Sequence, residues 1–359
     1  MVQTLARCIS CGLPQEVAQN LGWNANGTVV LRRARGLRVA LLDQEIMSGI
    51  LSVLEKEMGA GTCWRVLRDA TRFVTGKSLA GLKGRLSRYG MVKKRALEAL
   101  ENNSLILGMG RIEVEKFTPA EGGVMLLRSP LAADIATAGI TGLLEEVDRC
   151  PYGYELMREG ADIFRLRLAL ADADDYDERT QHDIPFFSRA VGGGEKEGTC
   201  RHCGAPSSIA GLRWDELYGT IEAGLRGRRV AFVPAFMLTA LLYLDRAEDG
   251  LRSRRLVEDT VYALTRKNLE ERAADAYEGE GLLVREEGEG GSWASLRTRG
   301  WGAAAEERMG DEGWRVTVIN PVDNALIAGW LRALYTVAEG REMRVRVKED
   351  PAQTFFDIG

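Results

Sequence analysis

Along the chain, apolar and polar positions alternate first with the period of a strand and then with the period of a helix, and this order occurs twice. Gly27-Thr28-Val29-Val30-Leu31 is β-branched and Leu37-Arg38-Val39-Ala40-Leu41-Leu42 is apolar, so the two predict a hairpin. From Asp43 the period changes. Ile46, Ile50, Leu51, Leu54 and Met58 fall on one helical face, with Asp43 placed to cap the start and Gly59 to stop the end. Residues 62–107 continue in helical patterns broken at Gly76, Gly81, Gly84 and Gly90. Gly110 to Phe117 then alternates with period two, which puts Glu113 and Glu115 on a solvent side, and Gly122 to Leu127 follows as its antiparallel neighbour. Pro130 introduces a helix through Ile135, Ile140, Leu143, Leu144 and Val147, and Ile163 to Leu168 closes the unit as a strand.

The second occurrence is offset by 191 residues. Gly227-Arg228-Arg229-Val230-Ala231-Phe232-Val233 answers Gly36-Leu37-Arg38-Val39-Ala40-Leu41-Leu42, a helix is predicted from about Pro234, and Arg315 to Pro321 answers Val124 to Pro130. A helix through Gly329-Trp330-Leu331 and a strand over Thr354 to Ile358 complete it. Between the copies lies a linker with an acidic run, Asp172 to Glu178, and a Gly-rich tract, Gly192 to Gly198. A second polar stretch, Glu286 to Ser292, predicts an exposed loop. The expected organisation is therefore a first copy over 1–171, a linker over 172–198 and a second copy over 199–359, with an internal pseudo-two-fold relation. The fold class is α/β of the α+β type, antiparallel sheets packed with helices.

Each copy opens on a matching pair of cysteines: Cys8-Ile9-Ser10-Cys11-Gly12-Leu13-Pro14 and Cys200-Arg201-His202-Cys203-Gly204-Ala205-Pro206. Both read Cys-x-x-Cys-Gly-x-Pro. Two thiolates at this spacing bind one metal from a tight turn, and the following glycine relieves the backbone there. The economical arrangement is one tetrahedral zinc held by Cys8, Cys11, Cys200 and Cys203, one per chain, which joins the copies. Trp23 and Trp214, beside the knuckles, are expected to pack over it. Three arrangements compete: separate metals with help from His202, Cys63 or Cys150; a redox-active dithiol; and an iron–sulfur cluster. A zinc held by four thiolates keeps no open position for chemistry.

Composition narrows the classes. The chain has 359 residues, 45% apolar and 28% charged, enough for two ordinary cores. Its longest apolar run, Val230 to Leu244, is shorter than a membrane span, and Met1 to Arg7 carries no secretory pattern, so the expected location is cytoplasmic. A formal charge of −4 argues against a general grip on nucleic acid, unless Arg32, Arg33, Arg35, Arg228 and Arg229 share one surface. No nucleophile elbow, Walker loop or zincin motif is present, and His182, in the linker, reads as a solvated residue.

The order of elements, with Gly36 to Leu42, Gly108 to Val114, Gly139-Ile140-Thr141-Gly142-Leu143 and Gly160-Ala161-Asp162-Ile163-Phe164 in the first copy and Gly227 to Val233, Ala328-Gly329-Trp330-Leu331 and Lys348 to Ile358 in the second, resembles the 4-vinyl-reductase domain family. The resemblance implies helices on an antiparallel sheet around a pocket for a small hydrophobic or aromatic molecule. Aromatic and apolar residues able to line it are Trp64, Phe73, Tyr89 and Met91 in the first copy and Phe236, Tyr243 and Tyr262 in the second. Relatives of this type that bind zinc do so with cysteines near the closing strand, and this chain has none there. The expected function is non-catalytic ligand binding or sensing, relayed to a protein partner. Two alternatives stand beside it: an enzyme or accessory factor of tetrapyrrole or aromatic metabolism, and a zinc-dependent interaction scaffold.

Overall fold

In the six-stranded central sheet, successive side chains of two neighbouring strands enter two different cores. The structure is a computed structural model that describes residues 5–32, 37–80, 89–172, 198–224, 227–244, 250–276, 296–309, 313–350 and 353–359, without the side chains at 80, 89–93, 210 and 272–276. The predicted linker between 173 and 197, with His182, and the loop at 286–292 lie outside these residues.

Strands β1 (Leu21–Trp23), β2 (Val29–Leu31) and β3 (Leu37–Asp43) come from the first copy; β8 (Leu212–Asp215), β9 (Thr220–Ala223) and β10 (Arg228–Pro234) come from the second. They form one antiparallel sheet in the order β1-β2-β3-β10-β9-β8. Alternation along a strand sends Val39, Leu41, Val230 and Phe232 to the core beside the cysteine knuckles, and Ala40, Leu42, Ala231 and Val233 to the larger helical core. Burial on both faces is why these strands read as continuous apolar runs. The joint between the copies is β3 against β10. Leu41 pairs with Phe232, the residue that the offset of 191 equates with it, and Val39 and Asp43 pair with Pro234 and Val230.

The helices follow the predicted faces. In α2 (Gln44–Met58), Ile46, Met47, Ile50, Leu51 and Leu54 are buried, and Gly59, at φ +101°, ends the helix. Asp43 does not cap it: the side chain makes no capping bond, because its carboxylate faces Arg228 at 3.7 Å and Arg299 at 3.5 Å. Next come α3 (Thr62–Ala80), α4 (Tyr89–Leu107), α5 (Ala133–Asp148), α6 (Ala235–Leu242), α7 (Leu251–Ala276) and α8 (Asn324–Glu339). The apolar run from Val230 is split between β10 and α6, and no described helix is long and apolar enough to cross a membrane. Helix α3 packs on α5 and α6, while α7 packs on α8 and α2, so helices of one copy lie against those of the other. The large core accordingly draws on both copies.

Two four-stranded antiparallel sheets flank this centre. One runs β4-β5-β7-β6, from Arg111–Thr118, Gly122–Arg128, Ile163–Leu170 and Tyr152–Arg158; the other runs β11-β12-β14-β13, from Ala303–Arg308, Trp314–Ile319, Gln353–Ile358 and Val345–Glu349. The predicted polar side of β4 carries ion pairs: Glu113 meets Arg111 and Arg128, and Glu115 meets Arg165. In the second sheet Asp357 sits between Arg315 (2.7 Å) and Lys348 (2.8 Å), and these cations hold its carboxyl down to about 2. A depressed folded-state pKa contributes stability above the unfolded value near 4, which is lost as pH falls through about 2. Asp357→Asn is therefore expected to cost roughly 1–2 kcal/mol in urea unfolding at pH 7, a cost that shrinks below about pH 4 and vanishes only below about pH 2.

The copies interlock by equivalent contacts. Gly302 N–H donates to the Gly27 carbonyl at 3.1 Å, and Gly110 N–H to the Gly219 carbonyl at 2.9 Å, so each copy's hairpin turn docks on the other's flanking sheet. Arg38 donates to the carbonyls of Gly300, Asn320 and Pro321, and its counterpart Arg229 to those of Ser129 and Pro130. Asn320 and Ser129 are left-handed corners, at φ +53° and +43°, and the guanidinium groups bind the carbonyls these corners turn outward.

Candidate metal centre

The two knuckles have the same backbone. Cys8 N–H donates to Leu13 O at 2.8 Å and Gly12 N–H to Cys8 O at 2.9 Å; Cys200 N–H donates to Ala205 O at 2.8 Å and Gly204 N–H to Cys200 O at 2.8 Å. Gly12 and Gly204 both stand at φ +71°, a conformation that costs glycine little. Buried Leu13 and Ala205 pin the two turns to the smaller core. Pro14 then opens α1 (Gln15–Asn20), and Pro206 opens a single 3-10 turn (Ser207–Gly211).

This packing brings the four thiols together. Cys8 Sγ lies 3.7 Å from Cys200 Sγ, Cys11 Sγ lies 3.5 Å from Cys203 Sγ, and all four lie within 4.8 Å of one another. A tetrahedral metal with bonds to sulfur of about 2.3 Å sets sulfurs about 3.8 Å apart, so the observed spacing fits. It is far from the roughly 2.05 Å of a disulfide, and none of the six cysteines is in a disulfide. The turns also favour thiolate. Backbone N–H groups of Cys11 and Ser10 lower the Cys8 thiol, and those of Cys203 and His202 lower Cys200 to about 6. Burial pushes Cys11 up, and Cys203 up to about 12. The second cysteine of each knuckle thus depends more on a cation to ionise. Cys8, Cys11, Cys200 and Cys203 can hold a metal ion.

Neither remaining cysteine joins them. Cys63 is fully buried at the start of α3; burial and Glu55 hold its thiol well above the usual range, and its N–H donates to Glu55 at 2.8 Å. Cys150 follows α5 and packs against the core of the first flanking sheet. His202 is exposed, and with Cys8, Ile9, Gln15, Ala18, Gln19, Arg32 and Cys203 it lines a cleft of about 490 Å³.

The tryptophans beside the knuckles divide. Trp214 is buried in the cluster on which Cys11 and Cys203 pack, and its Nε1 donates to Ile106 O at 3.1 Å. Trp23 meets Phe232 edge-on at 6.3 Å and lines a second cleft of about 260 Å³ with Asn24, Ala25, Thr199, Gly204, Pro206, Arg297 and Thr298. Spacing gave no sign of that cleft, because its walls come from three distant stretches.

The aromatics assigned to a ligand pocket are dispersed. Trp64 stacks on Tyr154 at 4.7 Å with Arg68 above it, Phe73 packs beside the core under Lys77, and Phe236 is core. Tyr243 pairs with Arg254, while Tyr262 donates to Glu342 at 2.6 Å. The side chains of Tyr89 and Met91 lie outside the described residues. None of the other five lines either cleft. The basic stripe does not assemble from its second-copy members, since Arg228 turns to Asp43 and Arg229 to the Ser129–Pro130 corner; Arg33 and Arg35 lie outside the described residues.

No family model matches the chain, and no curated protein or solved structure is similar to it.

Proposed function

We propose that this chain is a non-catalytic binding or sensing protein, built from two 4-vinyl-reductase-like copies about a pseudo-two-fold relation and clamped by one structural zinc on Cys8, Cys11, Cys200 and Cys203. The observation that carries the clamp is the convergence of four sulfurs from both ends of the chain to within 4.8 Å. The donor set favours zinc: four thiolates in a tetrahedral cage suit this ion, and the same closed cage suits a structural role better than a catalytic one. The two-fold reading draws support from the pairing of Leu41 with its own counterpart Phe232, and from the approach of Cys8 to Cys200 and of Cys11 to Cys203. Binding of a small hydrophobic or aromatic molecule, transmission to a protein partner and a cytoplasmic location complete the proposal.

Plasma mass spectrometry on the purified chain, with an absorption spectrum and a thiol titration on the same sample, tests it. One zinc per chain, no visible absorption and four protected thiols that become reactive on chelation are expected. Iron with visible absorption, or a metal-lacking protein whose Cys-x-x-Cys pairs cycle between thiol and disulfide, would overturn the clamp. Either outcome favours the enzyme or accessory-factor reading.

A further inference from the structure

The knuckles have equivalent surroundings that are filled on one side and open on the other. Arg7 immediately precedes Cys8, and Thr199 immediately precedes Cys200; each makes an isolated bridge to its own proline, Arg7 to Pro14 and Thr199 to Pro206. On the Arg7 side the guanidinium reaches across to the other copy. It donates to the Trp214 carbonyl at 3.1 Å, to Glu216 at 3.0 Å and back to Gly12 O at 3.3 Å. There Trp214 is buried, and its Nε1 is satisfied by Ile106 O.

On the Thr199 side the tryptophan and the glycine recur, but the arginine and the carboxylate do not. Trp23 stands opposite Val29 as Trp214 stands opposite Ile221, but the turn that follows it is Asn24-Ala25-Asn26 and carries no carboxylate. Threonine replaces the arginine, and the space is the cleft of about 260 Å³. Trp23 Nε1 is buried and has no hydrogen-bond partner among the described residues. A buried donor left unmatched destabilises the fold, and an acceptor supplied by a ligand would recover that loss. The cleft wall also holds a cation, Arg297, and the hydroxyl-bearing Thr298, with the ring of Trp23 and the apolar surfaces of Ala25 and Pro206 beside them.

We infer that the cleft bounded by Trp23, Thr199, Gly204, Pro206, Arg297 and Thr298 is a binding site for a small aromatic or aliphatic monocarboxylate. The carboxylate lies toward Arg297 and accepts from Trp23 Nε1, and the apolar body packs between the indole and Pro206. The site rests on the reading of this chain as a binding protein and gives that reading its ligand class; it does not depend on which metal the cysteines hold. It also places the ligand against the second knuckle, through Thr199, Gly204 and Pro206.

Benzoate is the probe, titrated calorimetrically into the full chain, with benzamidine as its cationic counterpart and metal content measured on each sample. Saturable binding of one benzoate per chain and no binding of benzamidine are expected. Trp23→Phe, which keeps a ring and removes the donor, should weaken benzoate about tenfold. Thr199→Arg, which rebuilds the filled side, should abolish it with metal content and melting temperature unchanged. If Thr199→Arg perturbs the fold, Trp23→Phe alone decides. No saturable heat with benzoate, benzamidine binding in its place, or benzoate binding equally to the wild type and the variants would overturn the site. Loss of metal from a chain that still binds benzoate would instead count against the zinc clamp alone.

Discussion

Cys200→Ser lowers the unfolding midpoint by roughly 7 °C and removes the metal, whereas Cys150→Ser changes neither. The size follows from loop closure. The clamp joins residues 192 positions apart, and cross-linking a loop of that length removes denatured-state entropy worth about 5 kcal/mol. For a chain of 359 residues that translates to about 7 °C. The loss stops short of unfolding because the β3–β10 joint and the large shared core hold the copies together without the cysteines. Chelation of the wild type should reproduce the effect, and Cys200→Ser should then show no further response to chelator. An unchanged midpoint with undiminished metal in Cys200→Ser would show that the ion is held elsewhere.

The second large effect is expected at a glycine. Gly27 stands at φ +78°, and a Cβ added there would lie 2.1 Å from Ala303 N and from the Gly302 carbonyl carbon. Those atoms are backbone and cannot rotate away. Gly27→Ala must therefore push the hairpin turn off the opposite flanking sheet, breaking the Gly302–Gly27 bond and disturbing Trp301, whose Nε1 donates to Leu41 O at 3.0 Å. A loss of at least about 3 kcal/mol is expected, from the sum of backbone strain and lost packing. Gly12 makes the control. It has a similar φ of +71° but nothing within 4 Å of its virtual Cβ, so Gly12→Ala should cost only about 1 kcal/mol. Urea unfolding of the two variants separates conformational strain from the interlock; equal losses would mean that the turn is not tightly docked.

The elements most legible in the sequence were those with a strong period and a built-in stop. Helix α2 shows its apolar face and its terminating Gly59 directly, and β3 and β10 declare burial on both sides by an unbroken apolar run. Strands β6 and β11 were not legible. Their residues are mostly exposed or half-buried, as in Tyr-Gly-Tyr-Glu-Leu-Met-Arg and Ala-Ala-Ala-Glu-Glu-Arg, and their pairing with β7 and β12 supplies the order that their own pattern lacks. Asp43 shows the same limit from the other side. Its type and position suit a helix cap, and only the arrival of Arg228 and Arg299 from the other copy decides that its carboxylate pairs with them.

For the metal centre the division is sharp. Cys-x-x-Cys-Gly-x-Pro, repeated, determined by itself the turn, the positive-φ glycine and the pair of thiols each copy contributes, because these are local properties of six or seven residues. Only the tertiary structure decided that Cys8, Cys11, Cys200 and Cys203 form one cluster, since that depends on β3 pairing edge to edge with β10 in one sheet. The same holds for the cleft at Trp23. Its walls are set by side-chain volumes from Asn24, Thr199 and Arg297, and whether an arginine fills such a corner or a threonine leaves it open is a fact of packing that no sequence period records.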